Sequence, residues 1–237
     1  MNIKNKMEEL GLPEFANQKI IGFYQENFNE NLLPYCTEHY WCDADSINVF
    51  NIVGTAHPDY IGLSWHEFIH VGKRMKTNLP LLESNPNYYL EKEKKTPTMY
   101  YIEIDGKLYV DGDGNHRSVI AKFFHAYQGT NPILHGVNLK RYTIDYRLKE
   151  LIEYSNSVFI NKGYRYMKVR TKRVKLSRED TAGWMREQYS IQIVVENILT
   201  AKEMIISERE LQDNLVNLHK KGHFSWIFNG GLFNGLL

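Results

Sequence analysis

A chain of 237 residues with 43% apolar, 24% charged and 13% aromatic residues can build a substantial core, and its net charge of +1 points to no class of partner. No run approaches the ~20 apolar residues of a membrane span, so no membrane partner is expected. Two cysteines and an N-terminus without an apolar leader predict a reducing, cytoplasmic setting rather than a disulfide scaffold.

Residues 1–30 read as two helical pieces separated at Leu12-Pro13, the second being NQKIIGFYQENF. Residues 31–46 are aromatic and loop-like, and INVFNIVG has the β-branched bias of a strand ending at Gly54. LSWHEFIHVGKRMKTNL reads as one helix, with Ser64 as N-cap and Glu67 three residues later in the capping-box pattern. A polar, Asn-, Pro- and Lys-rich connection from Glu83 to Pro97 follows. MYYIEIDGKLYVDG predicts two strands joined at Asp105-Gly106, a strong hairpin dipeptide. A helix over 118–127, a strand over 137–145 and a short helix at LKELIEY come next. YRYMKVRTKRVKL is β-like and basic, and a helix capped at Ser207-Glu208-Arg209-Glu210 stops at Gly222. The C-terminal IFNGGLFNGLL is apolar and too short to span a bilayer, which predicts a tail docked on the protein or a partner.

The middle of the chain, YVDGDGNHRSVIAKF, leaves a strand, turns through two glycines and enters a helix on His116 and Arg117. Cations in a first helical turn oppose the helix dipole, so something other than helix stability selects them. A glycine-bearing strand-to-helix turn presents amide groups to an anion, and an arginine adds a fork suited to phosphate. His116 can donate a hydrogen bond or transfer a proton near neutral pH. A plain capping role for these polar residues is the competing reading. Asp111, Asp113 and Asn115 alternate as in an EF-hand, but that template needs Gly and Glu where His116 and Lys122 stand.

The segment LYVDGDGNHRSVIAKF resembles the central motif of the ParB/sulfiredoxin superfamily, and the resemblance extends loosely over 47–145. It implies an α+β fold: a small mixed sheet with helices, a ParB/sulfiredoxin-like core at 47–145, an N-terminal helical and loop extension at 1–46, and a C-terminal region at 146–237 with a basic strand and helices packed on that core. It also implies a phosphate or nucleotide cradle at Gly112, Gly114, Asn115, His116, Arg117 and Ser118. His116, Arg117 and Asp113 would be the catalytic candidates of a ParB-like nuclease or nucleotide phosphohydrolase. The implied cofactors are ATP or another nucleotide and Mg2+, the cation being recruited by Asp111 and Asp113. The implied partners are a nucleotide and nucleic acid, DNA rather than RNA, in the setting of a mobile element. Sulfiredoxins need a cysteine where Asn115 stands, which excludes thiol repair. Partition proteins carry a double arginine in the turn and a long DNA-reading helical region. Here His116 replaces one arginine, and no convincing helix-turn-helix follows, so the nuclease-like branch fits best. A non-catalytic DNA- or protein-binding regulator of the same fold is the alternative.

Charge distribution adds a second signal. Between Asn138 and Arg178 stand 12 Lys/Arg against the three acids Asp145, Glu150 and Glu153, a local +9 in a chain otherwise at −8. On a strand, Tyr166, Lys168, Arg170 and Lys172 would share a face, with Arg173 beside it, suited to a phosphate backbone and to base stacking. The same pattern suits a solvated edge strand.

Two metal-like patterns compete. His66-Glu67-Phe68-Ile69-His70 matches the H-E-x-x-H of zinc hydrolases, although no third ligand follows at a recognised spacing and Glu67 already fits a capping box. Cys36, His39 and Cys42 form C-x2-H-x2-C without a fourth ligand at recognisable spacing, and a merely reduced pair of cysteines is the expectation.

Overall fold

The computed structural model describes residues 1–221. Among them the fold is mixed α+β, with seven α-helices and nine strands. The residues group into two compact units. The first comprises Met1–Phe28, Glu38–Thr143 and Arg178–Glu187; the second comprises Asn29–Thr37, Ile144–Ser177 and the residues from Gln188 on. The stretch expected to form a core at 47–145 thus lies almost entirely in the first unit.

In the first unit, α1 (Ile3–Leu10) is capped by Asn2, whose side chain accepts the Asn5 amide at 3.1 Å. The helix expected from NQKIIGFYQENF does not form. Its place is taken by a short strand, β1 (Ile21–Gly22), which pairs in parallel with β3 (Ile52–Thr55), and by the start of α2 (Gln25–Asn31). Ile20 and Phe23 flank β1 and are both buried, although a spacing of three places them on opposite faces of an extended chain, and β1 itself is held by the edge of β3. Residues 31–46 are not a loop either: most of them belong to β2 (Cys36–Asn48), a long strand beside β6 (Ile133–Ile144). INVFNIVG is divided by a 3-10 turn, Val49–Asn51, that separates β2 from β3.

The hairpin forms where expected. β4 (Tyr100–Ile104) and β5 (Lys107–Val110) are antiparallel, and both Asp105 and Gly106 adopt the positive φ that such a two-residue turn requires. The order in this unit is β1-β3-β5-β4-β6-β2, with β3–β5 and β4–β6 parallel. The capping box at Ser64 and Glu67 is present, but the helix it opens ends early. α3 (Trp65–Val71) stops at Gly72, and α4 (Met75–Ser84) follows as a separate helix. A Cβ at Gly72 would lie 2.6 Å from the Phe68 ring, so the chain passes that ring only without a side chain. α5 (Asn115–Gln128) packs against α1, α3 and α4. It buries Val119, Ile120, Phe123 and Phe124 in a core shared with Ile52, Phe68, Ile69 and Leu139.

In the second unit, α6 (Tyr146–Asn161) extends well past LKELIEY and is capped by Asp145, which accepts the Leu148 amide at 2.9 Å. The basic segment lies in β7 (Met167–Thr181). β7 pairs with β8 (Trp184–Asn197), which pairs antiparallel with β9 (Lys202–Ile206). β7 and β8 each run on into the first unit at their turn-proximal ends. α7 (Glu208–Lys221) opens with the expected cap, in which Ser207 and Glu210 exchange hydrogen bonds. Ile152, Phe159, Val169, Val195 and Leu211 form a second core. The glycine stop at Gly222 and the segment IFNGGLFNGLL lie outside the described residues.

Candidate functional site

The corner between β5 and α5 is stitched onto β4. The Asp111 amide donates to the Tyr100 carbonyl at 2.9 Å, and the Tyr100 amide donates to the Asp113 carbonyl at 3.1 Å. Gly114 precedes the helix at φ 120°, where a Cβ would also crowd Met99 at 3.2 Å. Two of the expected phosphate-binding side chains turn inward and brace this corner. Asn115 accepts the Thr55 hydroxyl at 2.6 Å and donates to the Gly112 carbonyl at 3.1 Å. Ser118 donates to the Gly114 carbonyl at 2.8 Å, which leaves its oxygen to accept from the Tyr101 hydroxyl at 2.6 Å. Both side chains are buried, so neither is presented to a ligand.

Arg117 is committed as well. Its guanidinium donates to the Tyr88 hydroxyl at 2.8 Å, to the Thr98 carbonyl at 3.2 Å and to the Pro97 carbonyl, and it lies 3.1 Å from the Asp113 carboxylate. With 13% of the side chain exposed, it ties the 97–98 segment to the helix while forming one wall of a hollow. Asp113 also accepts the Gly114 amide at 2.7 Å, and Asp111 is paired with Lys140 at 3.1 Å. Each carboxylate expected to recruit a cation already faces a cation of the protein. Among the described residues no group of three or more His, Cys, Asp and Glu side chains is arranged to hold a metal ion.

The unused hydrogen-bonding capacity gathers around His116 and Arg74. The Arg74 amide donates to Nε2 of His116 at 3.1 Å, and an amide can only donate, so Nε2 is the acceptor and the ring proton sits on Nδ1. Burial holds the imidazole below its ordinary pKa, the Arg74 charge lowers it further, and Asp113 works in the opposite direction. Tyr60 and Phe68 meet the ring edge-on at 5.4 and 5.2 Å. A neutral imidazole fixed in this way offers its Nδ1–H as a donor near pH 7. The side chain of Arg74 is exposed at the junction of α3 and α4.

Two hollows meet at this point, sharing Arg74, Asp113 and His116. One, of about 290 Å3, is walled by Leu81, Tyr88, Pro97 and Arg117 and includes Asn78 and Gly114. The other, of about 440 Å3, is walled by His57, Tyr60 and Lys73. Lys73 is paired with Asp59 at 2.6 Å, and that pairing holds the Asp59 carboxyl below its usual range. The first hollow thus joins an apolar and aromatic wall to Arg74, His116 and Asp113 at a helix N-terminus. Arg74, Lys73, Asn78 and Tyr88 were not singled out from the sequence. A cation on an interhelical turn carries no pattern of its own, and only packing of α4 beside α5 brings it to His116.

The basic strand is less uniform than its sequence. Lys168 and Lys172 are exposed. Arg170, which alternation places on their face, donates through Nε to Glu196 at 2.6 Å and through Nη2 to Glu203. Arg173 lies 3.8 Å over the Tyr189 ring. Tyr166 stands edge-on to Tyr164 at 6.3 Å and packs on the second core, so it is no exposed stacking platform.

The H-E-x-x-H helix forms, but Glu67 is consumed by its cap. Its carboxylate accepts the Ser64 amide at 2.6 Å and the Lys19 ammonium at 3.0 Å, and these bonds push its pKa down to about 2. A carboxylate so held is a poor base for activating water. In the C-x2-H-x2-C segment neither cysteine is in a disulfide, and His39 stacks on Tyr142 at 4.7 Å and lies 3.6 Å from Glu187. No family model, no curated protein and no solved structure matches the chain.

Proposed function

We propose that this chain binds a phosphate-bearing ligand, a nucleotide or a nucleic-acid end, at the N-terminus of α5, as a ParB/sulfiredoxin-like protein of the nuclease or nucleotide phosphohydrolase type. The observation that carries the reading is that Arg74, His116 and the first turn of α5 line one hollow with an apolar wall. Phosphate oxygens take the guanidinium of Arg74, the imidazole N–H and the helix amides, while a base or sugar lies against Leu81, Tyr88 and Pro97. Charge stabilisation by fixed donors is what phosphoryl transfer demands of a protein, and these donors supply it without reorganisation. Arg117 then acts by holding the wall, and Asn115 and Ser118 by holding the corner. A divalent cation such as Mg2+ would accompany the ligand's phosphates, because Asp111 and Asp113 are already paired.

The non-catalytic alternative has an observation in its favour. His116 presents a donor but no unoccupied basic nitrogen, so the site holds a phosphate more readily than it deprotonates a nucleophile. Contact with a DNA backbone would fall to Lys168 and Lys172, which remain exposed on β7. Fluorescence anisotropy with labelled ATP, ADP and single-stranded DNA, run beside phosphate-release and nuclease assays with and without Mg2+, tests the proposal. Arg74→Ala and His116→Ala should each weaken nucleotide binding. Binding without turnover under every condition would select the regulator, and nucleotide affinity unchanged in both variants would remove the site.

A further inference from the structure

We infer that His66 and His70 form a two-imidazole site for one divalent transition-metal ion, Cu2+ in preference to Ni2+ or Zn2+, with water completing the coordination. The two residues stand one turn apart on α3, and their Nε2 atoms are 3.2 Å apart. Two metal–nitrogen bonds of ~2.0–2.1 Å meeting at 90–109° would separate the nitrogens by about 2.9–3.4 Å. The observed spacing lies inside that range, so both Nε2 atoms can reach one ion set to the side of the line that joins them. The rings are tilted at 79° to one another, and His66 is half-buried while His70 is exposed, which leaves one side of the ion open to water.

Glu67 takes no part. Its carboxylate is held by the Ser64 amide and by Lys19, and it serves neither as a ligand nor as a base. The site therefore differs from the hydrolase centre that H-E-x-x-H suggests: it binds an ion and activates no water through that residue. Two imidazoles without a third protein donor leave selectivity to intrinsic affinity, and for divalent ions on nitrogen ligands that order peaks at copper. One local charge opposes binding. Lys4 is close enough to lower the His70 pKa together with burial and His66, so its ammonium also repels a bound cation. The ion clamps the last turn of α3, immediately before Gly72 and Arg74, and stabilises the folded chain by mass action.

The test is titration of the metal-free full-length chain with CuCl2, NiCl2 and ZnCl2, followed by calorimetry, thermal shift and, for copper, electron paramagnetic resonance. The expected result is one Cu2+ per chain at micromolar affinity with hyperfine structure from two nitrogens, and weaker Ni2+ and Zn2+ binding. His66→Ala and His70→Gln should each weaken Cu2+ binding by ~10-fold or more. Lys4→Gln should strengthen it, and Glu67→Gln should leave it unchanged. The far-ultraviolet circular dichroism of each variant checks that the fold is retained. Undiminished Cu2+ binding in both histidine variants, or loss of binding in Glu67→Gln with the fold intact, overturns the assignment.

Discussion

Replacing Arg117 and Arg74 in turn separates the arginine that builds the corner from the arginine proposed to serve a ligand. Arg117→Ala removes donors from the Tyr88 hydroxyl and the Pro97 and Thr98 carbonyls, and it leaves Asp113 without its cation. Hydrogen bonds to charged groups contribute ~1.5–3 kcal/mol each. The adjoining hollow lets water reach the orphaned acceptors, so the cost falls well below that of four such bonds, to ~2–4 kcal/mol. For a chain of this size that corresponds to a fall in Tm of roughly 4–16 °C. Arg74→Ala removes an exposed side chain, and its melting temperature should stay within about 2 °C of wild type. Its effect falls on binding: loss of a charge-assisted contact to phosphate should weaken ADP by ~10-fold or more. Differential scanning fluorimetry and ADP anisotropy on the same samples read both quantities. Arg117→Ala melting with wild type, or Arg74→Ala binding ADP as wild type does, would overturn these two roles.

Other perturbations bear on the scaffold. A Cβ at Gly136, which has φ 70°, would lie 2.0 Å from the Glu93 carbonyl oxygen, so Gly136→Ala should cost more than ~2 kcal/mol in urea unfolding. Lys122 is buried, donates to the Ile52 carbonyl at 2.6 Å and lies over the Trp65 and Phe15 rings, while burial pushes its pKa down to about 7. The unfolded chain then holds the extra proton, so this residue makes stability rise with pH between about 7 and its unfolded value near 10.4. The facing rings favour the ammonium and shrink that slope. Lys122→Met should abolish this part of the pH dependence in denaturation series, and an unaltered slope would show that Lys122 stays charged throughout. The depressed Glu67 carboxyl works in the other sense: its contribution is present above its unfolded value near 4.3 and is lost as pH falls towards about 2. Ser64→Ala, which breaks the same cap, should cost ~1 kcal/mol and flatten the acid limb.

Local signals in this chain were legible because local chemistry alone enforces them. Asp105-Gly106 makes its hairpin because both residues tolerate positive φ, and Ser64 with Glu67 makes its capping box because the partners sit three residues apart. The glycine corner before α5 was legible for the same reason. Where pairing is distant, local pattern does not set the element. NQKIIGFYQENF has a helical look until β3 offers it an edge, and residues 31–46 look like a loop until β6 stands beside them.

The site divides along the same line. Local chain chemistry alone dictates that a turn rich in amides, with His116 and Arg117, opens a helix. Which of those groups face outward is set by packing between distant segments. Asn115 and Ser118 turn in to satisfy buried polar partners, Arg117 is drawn to two carbonyls and Asp113, and Arg74 arrives from another helix junction to meet His116. A residue's type sets the bonds it can make, but which of them it spends on its own fold depends on neighbours that only packing supplies.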